Sequence, residues 1–182
     1  PPHAASTDTM TVELEFVPFT EDAPDTGSEV RLEVPNPDYE AELAAHRAGL
    51  ELNPFARCYA SPSFCPQLST PPEDLVDADQ ICITSTTLSV VVGYPFAGRY
   101  RVAITSESSK GFTHSELFRQ LVRIYSTMYA GASAAPIDKL DNMDVQSPRF
   151  GQAWHEITDL VIERVVVAKR GRQTFAWIAI GS

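Results

Sequence analysis

The sequence is poor in cysteine and in long apolar runs, and each shortage argues against a class of protein. Its three cysteines include no CxxC pair, so neither a disulfide-rich scaffold nor a thiolate zinc site is expected. No apolar run approaches the roughly 18–20 residues that cross a bilayer, and no basic-then-apolar segment of the secretory type opens the chain. We therefore expect a soluble protein, with the cytoplasm as the favoured compartment.

Basic residues are also scarce. Fourteen lysines and arginines stand against 24 aspartates and glutamates, which gives a net charge of −10. Such a charge repels nucleic acid phosphates and anionic lipid headgroups. We expect no nucleic acid and no membrane insertion, and instead a protein partner that is basic or apolar where it touches this chain.

The first residues are Pro1 and Pro2, without a methionine. Two origins are consistent with this start. Either the N-terminus is processed, or the chain is a piece of a longer product.

Catalytic and cofactor motifs are missing as well. No serine lies in a GxSxG context and no HExxH pairs two histidines, so we assign no catalytic residue, cofactor or metal. One alternative is a small hydrolase that uses His155 with Asp159, since a helical turn would place both on one face and a carboxylate-oriented histidine is half of a triad. The other interpretation of these two residues is a polar turn beside a packed tryptophan.

A long amphipathic helix over about 113–130 is the most regular element of the sequence. Thr113 is a suitable N-cap, Glu116 would complete a capping box, and Phe112 with Leu117 forms a hydrophobic staple. Apolar residues then recur at steps of three and four, and Gly131 is a typical C-terminal stop. The apolar stripe consists of Leu117, Phe118, Leu121, Val122, Tyr125, Met128 and Tyr129.

Strands are predicted on both sides of this helix. The β-branched or alternating segments are 10–17 and 29–34, expected to form a hairpin, then 80–85, 86–96 and 99–108, and finally 159–168 and 173–182. The last two flank the basic turn Lys169–Arg172 and predict a C-terminal hairpin. A short helix is expected after Asn36 and Pro37, ending at Gly49.

This order of elements predicts an α+β fold, a mainly antiparallel sheet with the helix 113–130 packed on one face. We expect a single domain over 1–182. It would carry an N-terminal arm at 1–9 and long irregular loops at 50–79 and 131–153.

The loop 50–79 holds five prolines and several large apolar residues. Thirty residues are long for a loop within a domain, so the segment is either pinned to the body or used as a contact surface. The candidate interface residues are Phe55, Tyr59, Phe64 and Leu68. If they are exposed together, they would form an apolar patch of the kind that marks an interface.

Two cysteines of the same loop, Cys58 and Cys65, are spaced so that they could close a small disulfide loop. The alternative is a pair of buried thiols that act as small apolar residues. Cys82 is expected to be a buried thiol in a strand.

From about residue 94 to 182 the order of motifs resembles that of an uncharacterised eukaryotic domain found in plant, algal and fungal sequences. The shared elements are a YP turn, an F-T-x-x-E-L-F helix that ends in I-Y, an H-E-I-x-D-L-V-I-E segment and a closing I-G-S. The resemblance implies a shared fold, and no reaction, cofactor or binding residue comes with it.

The leading hypothesis is therefore a non-enzymatic interaction or structural module, a subunit of a larger protein assembly or a homo-oligomer. The alternatives are the hydrolase described above and a domain that binds a small ligand between helix and sheet.

Overall fold

The computed structural model describes residues 13–48, 61–96, 98–132 and 156–181. The predicted N-terminal arm lies outside these ranges, as do most of the predicted loop 131–153 and the first part of the loop 50–79. Within them the chain forms ten strands and two α-helices: β1 (Phe16–Pro18), β2 (Ser28–Val30), β3 (Val34–Pro35), α1 (Tyr39–Arg47), β4 (Ser63–Phe64), β5 (Ile81–Ile83), β6 (Thr87–Val92), β7 (Tyr100–Thr105), β8 (Phe112–Thr113), α2 (His114–Ala132), β9 (Val161–Arg170) and β10 (Gln173–Gly181).

Six strands form the main sheet in the order β1-β7-β6-β10-β9-β2. Neighbours are antiparallel except for β10 and β6, which run parallel. The predicted C-terminal hairpin is confirmed, because β9 pairs with β10 across the two-residue turn Gly171–Arg172. Gly171 has a φ of +59° there, a backbone conformation that favours glycine. Two further two-stranded sheets, β3 with β4 and β5 with β8, flank the main one.

The N-terminal hairpin predicted from 10–17 and 29–34 is wrong. β1 pairs with β7 and β2 pairs with β9, at opposite edges of the sheet. Both strands are only three residues long, so pairing with the open edge of a longer strand stabilises each better than pairing with each other. As a consequence, residues 19–27 must connect one edge of the sheet to the other.

The helix α2 confirms the α+β prediction by covering one face of the sheet. Its stripe is buried in the main core together with the strand residues Val90, Val102, Val165 and Ala176. Val122 and Tyr129 lie at the margin of this core, and Ile124 is an additional fully buried position. The predicted stop at Gly131 is wrong, since the helix includes Ala132, and alanine favours helical backbone.

The N-terminus of α2 shows only half of the predicted capping box. Thr113 Oγ1 accepts a hydrogen bond from Glu116 N at 3.1 Å, as expected of an N-cap. The buried Glu116 carboxylate instead accepts from Glu107 N at 2.5 Å and from Ser106 Oγ at 3.1 Å. Glu116 therefore fixes the turn between β7 and β8 to the helix.

The predicted loop 50–79 is partly ordered where it is described. Leu68 and Leu75 are buried in the main core, and Leu68 N donates to Leu160 O at 2.9 Å. A 3-10 helix at Pro72–Asp74 follows β4 in this segment. In the predicted short helix α1, Asn36 Oδ1 accepts from Asp38 N at 3.0 Å, in agreement with its predicted capping role.

Across the described part of the chain, neither helix combines the length and the apolar character needed to span a membrane.

Leu121→Ala should lower the free energy of unfolding by about 2–5 kcal/mol, because it removes a fully buried side chain from the centre of α2. Urea denaturation measures the change. Ser126→Ala, on the exposed side of the same helix, is the control and should stay within about 0.5 kcal/mol of the wild type. A neutral Leu121→Ala would show that the stripe does not face the core.

Thr113→Ala should cost about 1 kcal/mol, because Glu116 N loses its capping partner. Thr127→Ala makes the same change within α2, where the hydroxyl donates to Arg123 O and caps nothing. Since alanine is the better helix former, the control should be neutral or slightly stabilising. Equal urea midpoints for the two variants would contradict the capping role.

Candidate functional site

The predicted site residues divide between described and undescribed parts of the chain. Phe55, Cys58, Tyr59 and His155 lie outside the described residues. The interface, disulfide and hydrolase hypotheses that include them therefore stay predictions. The described members of these sets are Phe64, Leu68, Cys65 and Asp159.

Asp159 closes a 3-10 helix at Ile157–Asp159, where its Oδ2 accepts a hydrogen bond from Glu156 N at 3.1 Å. This bond satisfies a backbone donor that the short helix leaves unpaired. The carboxylate thus has a structural task, whatever its relation to His155. Within ranges 13–48, 61–96, 98–132 and 156–181, no three His, Cys, Asp or Glu side chains are grouped so that they could hold a metal ion.

The two described members of the candidate interface have opposite environments. Phe64 is 47% exposed, whereas Leu68 is 3% exposed and belongs to the core. Leu68 thus follows the alternative interpretation, in which the loop is pinned to its own domain. Phe64 is available to a partner.

Cys65 is exposed and directly follows Phe64. The pKa of the Cys65 thiol is raised above its usual range. Partial burial is the largest cause, and the negative charges of Glu163 and Glu33 add to it. Two negative groups therefore act on the Cys65 thiol. A disulfide from Cys65 to Cys58 stays a prediction.

The sheet face opposite α2 carries a second, smaller apolar cluster. Val91, Phe175 and Trp177 are buried there, and Phe19 and Ala23 pack against them. Phe175 stacks between the rings of Phe19, at 5.8 Å, and Trp177, at 5.5 Å. These contacts place the segment 19–27, which we call the strap, across this face.

The length of the strap fits such a crossing. Five inter-strand spacings of about 4.8 Å make the sheet roughly 24 Å wide, and nine extended residues span about 30 Å. The strap is therefore long enough for the crossing, and it ends in a turn in which Gly27 N donates to Pro24 O at 3.1 Å. Gly27 ends it close to β9, where an added Cβ would come within 2.3 Å of Val166 Cγ1, so a larger residue would push the strap off the sheet.

Polar contacts hold the acidic part of the strap. Arg99 Nη1 donates to Glu21 O at 2.9 Å and to Asp22 Oδ1 at 2.7 Å. Trp177 Nε1 also donates to Glu21 O, at 3.2 Å. Arg170 pairs with the Glu21 carboxylate and lies 5.1 Å from the centre of the Trp177 ring. Because these ion pairs are solvent-exposed, most of the stabilisation comes from the apolar contacts.

Beside the strap, a cavity of about 260 Å3 opens on the same face of the sheet. Its lining combines an apolar floor with two guanidinium groups. The apolar contribution comes from Val91, Val166, Trp177 and Ala179, and the polar rim includes Asp22, Tyr94, Arg99 and Arg164. We call this space the Arg164 cavity.

Arg164 owes its position to a β-bulge. The β9–β10 register shifts between Ala179 and Ile180, so that Glu163 and Arg164 together lie opposite Ala179. Ile162 and Val165 can then both face the core, which leaves Arg164 exposed beside the cavity. Among the described residues, no carboxylate forms an ion pair with Arg164.

A second cavity, of about 380 Å3, brings His114 and Cys82 together with Val76 and Asp77. A cysteine beside a histidine would be a candidate nucleophile. Here His114 Nδ1 lies 3.1 Å from Asp77 O and Cys82 Sγ donates to Phe112 O at 3.4 Å. Desolvation raises the pKa of Cys82 to about 11, so at neutral pH the thiol is protonated and unreactive.

Sequence reasoning did not find the Arg164 cavity. One signal was present, because Glu163 and Arg164 interrupt an otherwise apolar strand with two consecutive polar residues, which is typical of a bulge. Arg99 and Trp177 carry no such signal. They meet only because β7 and β10 are both neighbours of β6.

Comparison with known proteins gives no relative. No family model, no curated protein and no solved structure matches the chain. The similarity to plant, algal and fungal sequences therefore stays a prediction, and the function must be argued from this chain's own residues.

Iodoacetamide should modify Cys82 about 100-fold more slowly at pH 8 in the folded protein than in urea, because the pKa rises from 9.0 to about 11 and only the thiolate reacts. Raising the pH from 8 to 10 should speed the folded reaction about tenfold per unit, since the thiolate fraction rises by that factor below the pKa. Peptide mass spectrometry at timed intervals measures both. Equal rates in folded and unfolded protein would contradict the protected setting of Cys82.

Proposed function

We propose that the chain is a non-enzymatic protein-interaction module and a subunit of a larger protein assembly. The observation that supports this most is the contrast within the segment 61–79. Leu68 and Leu75 anchor the segment in the core, at 3% and 5% exposure, while Phe64 keeps 47% of its surface exposed. A large ring on a rigid support is the form that interface anchors commonly take.

Other exposed apolar residues lie along the same stretch of chain. In the described part of the protein, two of the four exposed large hydrophobic residues belong to it, Phe64 and Val76 at 37%, and Ile81 at 38% lies two residues beyond its end. Phe64 pairs with Val34 across β3 and β4, and Val76 N donates to the neighbouring Glu33 O at 2.8 Å. We call Val34, Phe64 and Val76 the Phe64 surface.

The charges around the Phe64 surface indicate which partner it suits. Glu33 lies next to Val34 in sequence, and both Glu33 and Glu163 act on the thiol of Cys65. An apolar centre with a negatively charged rim favours a partner whose own centre is apolar and whose rim is basic. This agrees with the expectation from the net charge of −10.

Phe64→Ser should weaken the association by about tenfold or more, because anchoring aromatic residues dominate interface energies. The monomer's free energy of unfolding should change by less than about 1 kcal/mol, because much of the ring is already exposed. The measurement is size-exclusion chromatography of the tagged chain from the cells that produce it, supported by sedimentation velocity of the purified chain to detect self-association.

Leu68→Ala is the matched control. It should destabilise the monomer by about 2–5 kcal/mol, since its side chain is part of the core. A wild-type chain that is monomeric both by size-exclusion chromatography and by sedimentation velocity would contradict the proposed assembly. A Phe64→Ser variant that elutes with the wild-type complex would show that assembly uses another surface.

A further inference from the structure

The geometry points to the Arg164 cavity as a binding site for a small carboxylate with a compact apolar body. This inference does not depend on the Phe64 surface or on assembly. It is based on the volume of the cavity, its apolar floor and the different states of its two arginines.

The volume limits the size of the ligand. About 260 Å3 falls below the roughly 300–1,000 Å3 typical of sites for drug-sized molecules. A nucleotide or dinucleotide would extend well beyond the walls. A compact acid, or the last side chain of a peptide together with its carboxylate, fits the available space.

The floor favours an apolar group. Val91, Val166, Trp177 and Ala179 face the cavity from three neighbouring strands, and the Trp177 indole N–H is already bonded to the strap. The Trp177 donor is therefore in use, and what this buried ring contributes to the cavity wall is apolar. Polar ligands such as free phosphate or a sugar would gain little from such a floor.

The two arginines explain why the ligand should carry one negative charge. Arg99 is already paired with Asp22 at 2.7 Å, so its charge is largely balanced. Arg164 has no ion-pair partner among the described residues and leaves the rim with one uncompensated positive charge. A guanidinium group binds a planar carboxylate through two parallel hydrogen bonds. A multiply charged anion would meet the nearby Asp22 and a protein of net charge −10.

The strap shows that this face accepts carboxylates in practice. Glu21 pairs with Arg170 and Asp22 with Arg99, while Phe19 and Ala23 of the same segment pack on the apolar cluster. Two adjacent carboxylates thus lie between apolar groups along the strap. The Arg164 cavity offers the same combination, an apolar floor beside an arginine, to a molecule from outside.

The test uses 3-phenylpropionate as the probe and the full chain as the protein. Binding is followed by isothermal titration calorimetry and by tryptophan fluorescence, since Trp177 lines the cavity. We expect saturable binding at millimolar concentrations or below. Arg164→Gln should weaken it by about tenfold or more, because a charge-assisted pair is lost.

Three controls separate the site from general electrostatics. Arg172→Gln removes the same charge from the exposed hairpin turn and should leave binding unchanged. The uncharged 3-phenylpropanol should bind about tenfold more weakly than the acid, because it cannot form the ion pair. Ala179→Leu, which fills the floor without a change in charge, should abolish binding, and thermal melts establish that each variant is folded.

Any of four results would overturn the proposal: no saturable binding to the wild type at millimolar probe, equal weakening by Arg164→Gln and Arg172→Gln, equal binding of acid and alcohol, or wild-type binding by Ala179→Leu. The Ala179→Leu variant keeps the proposal testable if Arg164→Gln does not fold. Because no readout involves assembly, these results are separate from those for Phe64.

Two sources could supply this carboxylate, a free small acid or the C-terminus of a peptide. N-acetyl-glycyl-phenylalanine and its amide distinguish them. Tighter binding of the peptide acid than of 3-phenylpropionate, with loss of binding in the amide, supports a peptide terminus. Tighter binding of 3-phenylpropionate supports a free acid.

Discussion

Burial of α2 against one face of the main sheet is the interaction on which the rest of this structure depends. The helix contributes six fully buried side chains to the core, at positions 117, 118, 121, 124, 125 and 128, and the preceding Phe112 of β8, the staple residue, adds a seventh. The hydrophobic effect at such positions stabilises the fold by roughly 1.5–3 kcal/mol per large side chain. Because a single long helix covers only one face, the opposite face of the sheet needs another cover.

The strap provides that cover, and its path follows from where β1 and β2 pair. Since they lie at opposite edges of the sheet, nine residues between them must cross its second face. They bury Val91, Phe175 and Trp177 and leave the neighbouring part of the face open as the Arg164 cavity. The candidate binding site is therefore a consequence of how a short connection covers a wider sheet.

The two proposed surfaces have different physical characters. The Phe64 surface is apolar with acidic neighbours, and it belongs to a segment anchored by Leu68. The Arg164 cavity is a concave site with an uncompensated positive charge on a chain of net charge −10. A protein partner suits the first and a small anion suits the second, so one chain can carry both.

The sequence by itself determined the elements whose signals are local. The α2 stripe, the Thr113 cap and the turn at Gly171 follow from periodicity, capping chemistry and backbone conformation, each within a few residues. Tertiary structure decided which strands pair and which side chains meet. The pairing of β1 with β7, the departure of Glu116 from its capping box and the meeting of Arg99, Arg164 and Trp177 all depend on contacts between residues far apart in the chain. No local pattern encodes such contacts, because they are selected by the free energy of the whole packed arrangement.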